Sequence, residues 1–500
     1  MDIISNLALG FGAAATFSNL GYCLVGVLLG TLIGVLPGLG PVATIAMLLP
    51  ITFQLEPLSS LIMLAGIYYG AQYGGSTTAI LINVPGESSS VVTAIDGYQM
   101  ARRGKAGTAL ATAALGSFFA GTVATILIAL FAPPLSEAGL KFGAADYFSL
   151  MALGLVASIT LASGSLLKAI GMILLGLLLG LVGQDVTSGV ARFTFDIPEI
   201  QEKIDFVVVA MGVFGVGEII RNLESEEERV SFISHVSGLL PSKEDLKAMV
   251  APVLRGTALG SLLGILPGGG ALLASFAAYS LEKKVSRTPE QFGKGALAGV
   301  AGPESANNAG AQTSFIPMLT LGIPSNPVMA LMVGAMIIQG IVPGPSVVSE
   351  RPELFWGIIA SMWIGNLMLV VLNLPLIGLW VRLLTVPYHL LFPAILVFCA
   401  IGVYSLNNQS FDVLLMAGFG IFGYLLVRLK CEPAPLLLGF ILGPMMEENL
   451  RRALTLSRGD VSVFVTRPIS LTLLIMAAAL LVIVLLPSVR KTREVAFKED

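Results

Sequence analysis

Residues 30–40 read GTLIGVLPGLG and residues 260–270 read GSLLGILPGGG. The two stretches agree at Gly30/Gly260, Leu32/Leu262, Gly34/Gly264, Leu36/Leu266, Pro37/Pro267, Gly38/Gly268 and Gly40/Gly270, the mark of an internal duplication. Later in each half a second correspondence follows: Gly70-Ala71-Gln72 with Gly310-Ala311-Gln312, then Asn83-Val84-Pro85-Gly86 with Gly322-Ile323-Pro324-Ser325. Proline lacks an N–H and disfavours helical geometry in the residue before it, and glycine reaches backbone angles closed to other residues. A helix should therefore break at Pro37 and again at Pro267. Glycine used only for close helix packing would explain a single such motif, but two copies in corresponding places favour a site.

Composition sets the solvent in which those breaks occur. Of 500 residues, 55% are apolar and only 12% charged, and the mean hydropathy is +0.88, which excludes an ordinary soluble protein. At about 20 residues per helical crossing the chain has room for about a dozen transmembrane helices. The expected class is an all-α polytopic membrane protein with broken helices or re-entrant hairpins. Apolar runs place helices near 14–35, 58–82, 108–131, 146–162, 166–183, 204–220, 251–265, 296–340 in pieces, 353–380, 389–405, 411–427, 433–446 and 469–487. Trp356 and Trp380 are 24 positions apart, about 36 Å of helix, as two interfacial belts of one span would require. Broken backbone at membrane depth is tolerated only where protein or a watery cavity satisfies the freed polar groups, so such breaks tend to line sites.

A net charge of −3 with no basic stripe excludes nucleic acid as a partner. Cys23, Cys399 and Cys431 are isolated, without CxxC spacing, and read as small core residues. His235 and His389 lie too far apart in sequence for a metal pair, so no metal beyond sodium and no cofactor is expected. No Lys or Arg precedes Arg102, so the first apolar run is expected to be retained rather than cleaved as a signal.

Basic residues orient the two units. Between its two motifs the first unit has no Lys or Arg, whereas the second carries Lys283, Lys284, Arg287 and Lys294. After the second motif the bias reverses: Arg102, Arg103 and Lys105 follow in the first unit, and nothing basic follows in the second until Arg351. Equivalent loops are thus expected on opposite sides, an inverted-topology repeat with its substrate where the repeats meet. The expected organisation is a first repeat over 1–220, a polar cytoplasmic linker over 221–250, a second repeat over 251–445, and a C-terminal span with a cytoplasmic tail over 446–500. The linker holds six acidic and four basic side chains, with Ser225 and Glu228 spaced as a capping box. Arg490, Lys491, Arg493 and Lys498 favour a cytoplasmic tail.

The second motif of each unit is rich in hydroxyls and amides. YGAQYGGSTTAILINVPGESSS offers Gln72, Ser76, Thr77, Thr78, Asn83, Glu87 and Ser88; GPESANNAGAQTSFIPMLTLGIPSNP offers Glu304, Ser305, Asn307, Asn308, Gln312, Thr313, Ser314, Ser325 and Asn326. Such groups, with unwound carbonyls, coordinate sodium, and free N–H groups at helix starts hold carboxylates; hydrogen bonding between helices is the plainer role for any one of them. No Lys or Arg lies within 30–95 or 295–350, so an anionic cargo would need helix dipoles and a co-transported cation, sodium or proton. Glu87 and Glu304 are the carboxylates placed to take that cation, with Thr78, Thr313 and Asn326 as further ligands; either carboxylate could instead sit at an exposed hairpin tip. Asp96, just before the basic cluster, reads as interfacial. Enzyme signatures are absent: Ser165-x-x-Lys168 lacks its companion motifs, Gly38-x-Gly40-x-x-Ala43 lacks a strand and helix around it, and there is no Walker A sequence.

The repeated segments resemble the large membrane subunit of the tripartite tricarboxylate transporters, the TctA family. The likeness rests on GVLPGLGPVATIAMLLP at 34–50, YGGSTTAILINVPG at 73–86, AIDGYQMARRGKAG at 94–107 and PESANNAGAQTSFIPMLTLGIPSNP at 303–327, and extends over about residues 20–445. It implies a permease of the bacterial inner membrane that works with a small membrane subunit and a periplasmic solute-binding protein. The implied cargo is a di- or tricarboxylate such as citrate, driven by a cation gradient rather than ATP; a homo-oligomer is compatible. It points to Gly38, Gly40, Ser76, Thr77, Asn83, Pro85 and Gly86 in one half and to Gly268, Gly270, Asn307, Asn308, Gly322, Pro324 and Ser325 in the other as substrate-binding positions. One departure is Glu87, where the family commonly has a small hydroxyl residue; an added carboxylate would repel a tricarboxylate, which favours a less anionic cargo or an altered cation site. The rivals are a passive channel and a transporter of a different small organic solute.

Overall fold

Apolar runs bounded by Pro, Gly and polar caps fold, in the computed structural model, into helices throughout. It describes residues 3–36, 40–161, 165–185, 188–201, 203–224, 241–266, 270–383 and 388–485. The β-structure among them is small, a short antiparallel pairing of Gly183–Gln184 with Ala191–Arg192 and a bridge from Gly183 to Lys203. Among the described residues six helices are long and apolar enough to cross a membrane: Phe17–Val35, Ala106–Gly139, Phe206–Glu224, Lys243–Gly264, Pro352–Asn373 and Ser410–Arg428. Others are apolar but shorter, among them Pro41–Thr52 and Pro327–Ile338; at 12 residues each reaches about 18 Å, short of a hydrocarbon core of about 30 Å. The expected spans therefore resolve into long helices and short apolar ones, and the chain is an all-α polytopic membrane protein.

Several boundaries move. The first run is two helices, Ile3–Ala14 and Phe17–Val35, separated at Thr16, whose hydroxyl accepts from the Asn19 N–H at 3.3 Å. The expected 353–380 span ends at Asn373 and a separate helix runs Ile377–Leu383; Trp356 and Trp380 are both buried in protein, so they do not form two lipid-facing belts. Helices at Pro41–Thr52, Val91–Arg102 and Gly270–Val285 have no counterpart in the sequence reading. At the ends of the expected 221–250 linker, Gly217–Glu224 and Lys243–Gly264 are helical, the latter behind a Ser242/Asp245 capping box. Ser225, Glu228, His235 and the basic tail from Arg490 lie outside the described residues.

Each half packs the helix that precedes its first motif against a long buried one. Gly26, Gly30 and Gly34 lie on one face of Phe17–Val35, where an added Cβ would collide with the carbonyl oxygens of Met63, Ile67 and Ala71 on the helix Pro57–Ile82. In the second half Gly256, Gly260 and Gly264 meet the carbonyls of Gly302, Ala306 and Gly310 on Ala298–Thr313 in the same way. A glycine every fourth residue lets two backbones touch, the small-residue packing of membrane helices. The partner helices lie at the centre: every residue from Ser59 to Leu81 and from Gly299 to Thr320 is buried. Polar side chains on these two helices therefore meet protein or an internal cavity.

Candidate functional site

Both central helices end in a left-handed residue. Asn83 (φ 60°, ψ 23°) closes Pro57–Ile82, and Gly322 (φ 72°, ψ 19°) closes Phe315–Leu321, which continues Ala298–Thr313. The αL conformation suits glycine and is open to asparagine, so each sequence supplies a residue that can turn there. Four residues on, each chain becomes extended at a helix-capping residue: Glu87 (φ −150°, ψ 162°) before Ser88–Ser90 and Val91–Arg102, and Asn326 (φ −155°, ψ 171°) before Pro327–Ile338.

These starts converge. One cavity of about 270 Å³ is lined by Gly40, Pro41 and Val42 at the start of Pro41–Thr52, Gly270, Ala271 and Leu272 at the start of Gly270–Val285, Glu87, Ser88 and Ser89, and Asn326, Pro327 and Val328. Tyr68, Gln72, Ser158, Glu432 and the apolar Ala434, Pro435 and Leu438 complete the wall. Two helix starts from each half thus face one space, and among the described residues no Lys, Arg or His lines it. Helix starts carry unsatisfied N–H groups and the positive end of the dipole. Asn326 adds a donor: its Oδ1 accepts from the Met329 N–H at 2.9 Å, leaving its buried Nδ2 with no partner among the described residues. On the first half Glu87 accepts from Ser89 Oγ at 2.6 Å, and Ser89 Oγ lies 3.3 Å from Gln72 Oε1.

Contacts between the halves are polar and reciprocal. Asn307 Nδ2 of the second half donates to Glu87 Oε1 at 3.2 Å. Ser76 Oγ of the first half lies 2.6 Å from Glu304 Oε2, and Thr93 bonds its Oε1. Asn308 Nδ2 donates to Ser117 Oγ at 2.6 Å. Ser76, Thr77, Tyr73, Ser117, Glu304 and Asn373 border a second cavity of about 10 Å³.

The positions singled out from sequence separate into groups. Gly40 and Gly270 line the large cavity, as do Glu87 and Asn326, which the sequence offered for a cation rather than for cargo. Ser76 and Thr77, offered for cargo, belong with Glu304 at the small cavity. Glu304 is fully buried within a helix, which removes the exposed-tip alternative for it; Glu87 is half-buried at the cavity wall. Asn83 is exposed and Pro85 half-buried, and neither reaches a cavity; they shape the turn. Gly86 packs against Gly34 and Gly75 with its N–H 3.4 Å from Gly75 O. Gly322 and Pro324 are buried in the second turn, and Ser325 Oγ donates to Ser314 O at 3.3 Å. Thr78 Oγ1 lies 3.0 Å from Gly34 O, and Thr313 Oγ1 donates to Ala309 O at 2.9 Å, so both hold helices rather than line a cavity. Gly38 and Gly268, with Pro37 and Pro267, lie outside the described residues.

Sequence reasoning missed Tyr68, Ser158 and Glu432, which come from segments with no repeat signal. It also placed Asp96 at the interface, whereas Asp96 is fully buried in protein. There it accepts from Tyr279 OH at 2.9 Å and from the N–H groups of Gly295 and Ala296 at 2.7 and 2.8 Å, a further tie between the halves.

Residues 20–438 match the family described as the Tripartite tricarboxylate transporter TctA family. Over all 500 residues the chain is 66% identical to the full length of an uncharacterized 52.8 kDa protein of Agrobacterium vitis, from the TAR-I ttuC' 3'region. A second Agrobacterium vitis protein, uncharacterized and from the TAR-II ttuC' 3'region, is 65% identical over 241 residues, all of that relative and 48% of this chain. No solved structure matches. The family is one of transporters, not enzymes. Matched over most of its length, the chain belongs to the tripartite tricarboxylate transporter TctA family.

Proposed function

We propose that the protein is the large permease subunit of a binding-protein-dependent secondary transporter that imports small di- or tricarboxylates across a bacterial inner membrane by cation symport. Its partners in this reading are a small membrane subunit and a periplasmic solute-binding protein, and its halves are inverted-topology repeats that alternate access to the shared cavity. The observation that carries the reading is the cavity of about 270 Å³, where helix starts from both halves and an Asn326 Nδ2 without a partner among the described residues offer donors to an anion, with no basic side chain among the described lining residues. Donors without a formal positive charge bind a carboxylate while leaving its charge to be balanced by a travelling cation.

Glu87 in the lining of the large cavity favours a second reading of the cargo. A carboxylate there would repel a fully ionised tricarboxylate and accept a hydrogen bond from a hydroxyl, so a hydroxylated solute of lower charge fits that side of the cavity.

The test is uptake of radiolabelled di- and tricarboxylates into proteoliposomes containing the membrane subunits and the binding protein, with sodium and pH varied separately. Accumulation above the outside concentration, collapsing with an ionophore for the driving cation, is expected; equilibration without accumulation would make the protein a channel. Asn307→Ala, which takes the amide from Glu87, is expected to lower uptake about tenfold with protein level retained.

A further inference from the structure

Glu87 faces the cargo cavity, whereas Glu304 lies on the neighbouring small cavity with no basic residue on its lining. We infer that Glu304, Ser76, Ser117 and Asn373 form a binding site for a sodium ion, one helical turn from the cargo cavity; this deepens the transporter reading above and rests on it. A volume of about 10 Å³ holds one small ion or water.

The donor set fits a cation better than a proton. Asn373 Nδ2 donates to Leu369 O at 2.9 Å and lies 3.5 Å from Thr31 Oγ1, which fixes the amide and leaves Oδ1 buried with no hydrogen-bond donor among the described residues. Ser117 Oγ accepts from Asn308 Nδ2, so a lone pair remains for an ion. Ser76 Oγ lies 2.9 Å from Gln72 O and 2.6 Å from Glu304 Oε2, with one proton to give. When that proton goes to Gln72 O, the hydroxyl oxygen turns to the cation beside the carboxylate. A proton on Glu304 would neutralise one buried charge; a sodium ion does so while also satisfying the amide and hydroxyl oxygens. Tyr73, Thr77 and the apolar Leu110, Ala113, Ala114, Leu374 and Ile377 complete the lining.

The two cavities are joined twice. Gln72 lines the large one and Ser76 the small one, four residues apart on Pro57–Ile82; Glu304 lines the small one, and Asn307, three residues on, donates to Glu87 of the large one. Filling the ion site therefore biases both helices that present the cargo site, the differential interaction that coupling requires.

The test is equilibrium binding of ²²Na⁺, with sodium-dependent thermal stabilisation as a second readout, on the purified full-length chain. Saturable sodium binding is expected. Glu304→Gln should abolish it, and Asn373→Ala and Ser117→Ala should each weaken it about tenfold. Unfolding temperatures without sodium close to wild type separate lost ligands from misfolding, and Asn373→Ala keeps the test decisive if Glu304→Gln does not fold. Wild type without saturable sodium binding, or Asn373→Ala and Ser117→Ala binding like wild type, would overturn the site. Carboxylate accumulation without sodium binding would sink this inference alone; sodium binding without uptake of any carboxylate would sink the transport reading instead.

Discussion

The turns at Asn83–Glu87 and Gly322–Asn326 share a backbone and differ in chemistry. Each begins with a left-handed residue and ends with an extended helix cap, yet the first is partly exposed and ends in a carboxylate, while the second is buried and ends in an amide with a spare N–H. Duplication therefore fixed the geometry of two helix starts facing one space, and divergence made the space unsymmetrical, with an acceptor on one half and a donor on the other. The two buried-side carboxylates repeat the lesson. Glu87 of the first half is held by Asn307 of the second, and Glu304 of the second by Ser76 and Thr93 of the first. Neither half completes either site alone.

The comparison breaks most severely where the halves share close packing. Gly30→Ala and Gly260→Ala each drive a methyl group into a facing carbonyl, and each should cost about 3 kcal/mol of stability in detergent unfolding. Gly21→Ala, on the same helix as Gly30 but with nothing within 4 Å, should change stability by less than about 0.5 kcal/mol. Equal losses in the two halves would bear out the duplicated packing; a loss in one half alone would break it.

The turns provide a smaller and sharper contrast. Gly322→Ala imposes a left-handed conformation costing about 1–2 kcal/mol and places its Cβ against the Pro343 carbonyl. Asn83→Gly should be nearly neutral, because glycine adopts φ 60° freely and the side chain is exposed. Unfolding midpoints of both variants check this, and uptake by Asn83→Gly equal to wild type would confirm that Asn83 shapes the turn without touching cargo.

The end of Pro57–Ile82 and the interruption within 296–340 were legible in the sequence, because the apolar runs stop where Pro and Gly intervene, whereas Pro37 and Pro267, where breaks were expected, lie outside the described residues. The short helices beyond the breaks were not. Pro41–Thr52 is too short for a span count, and Gly270–Val285 carries Ser280, Glu282, Lys283 and Lys284, which mask its apolar face. The division of labour was hidden for a different reason. Ser76 and Glu304 are 228 positions apart, and only the packing of two central helices shows that they share a cavity while Glu87 and Asn326 share another. Residue type suggested oxygen ligands and donors; three-dimensional proximity sorted them.

The most direct measurement is substrate protection of two single cysteines, Ser88→Cys from the first half and Leu272→Cys from the second, in a background with Cys23, Cys399 and Cys431 replaced. Both positions line the large cavity. A small polar thiol reagent should label both, and one carboxylate should protect both over the same concentration range. Protection of one cysteine only, or of neither at concentrations that saturate uptake, would contradict a single cargo cavity shared by the two halves.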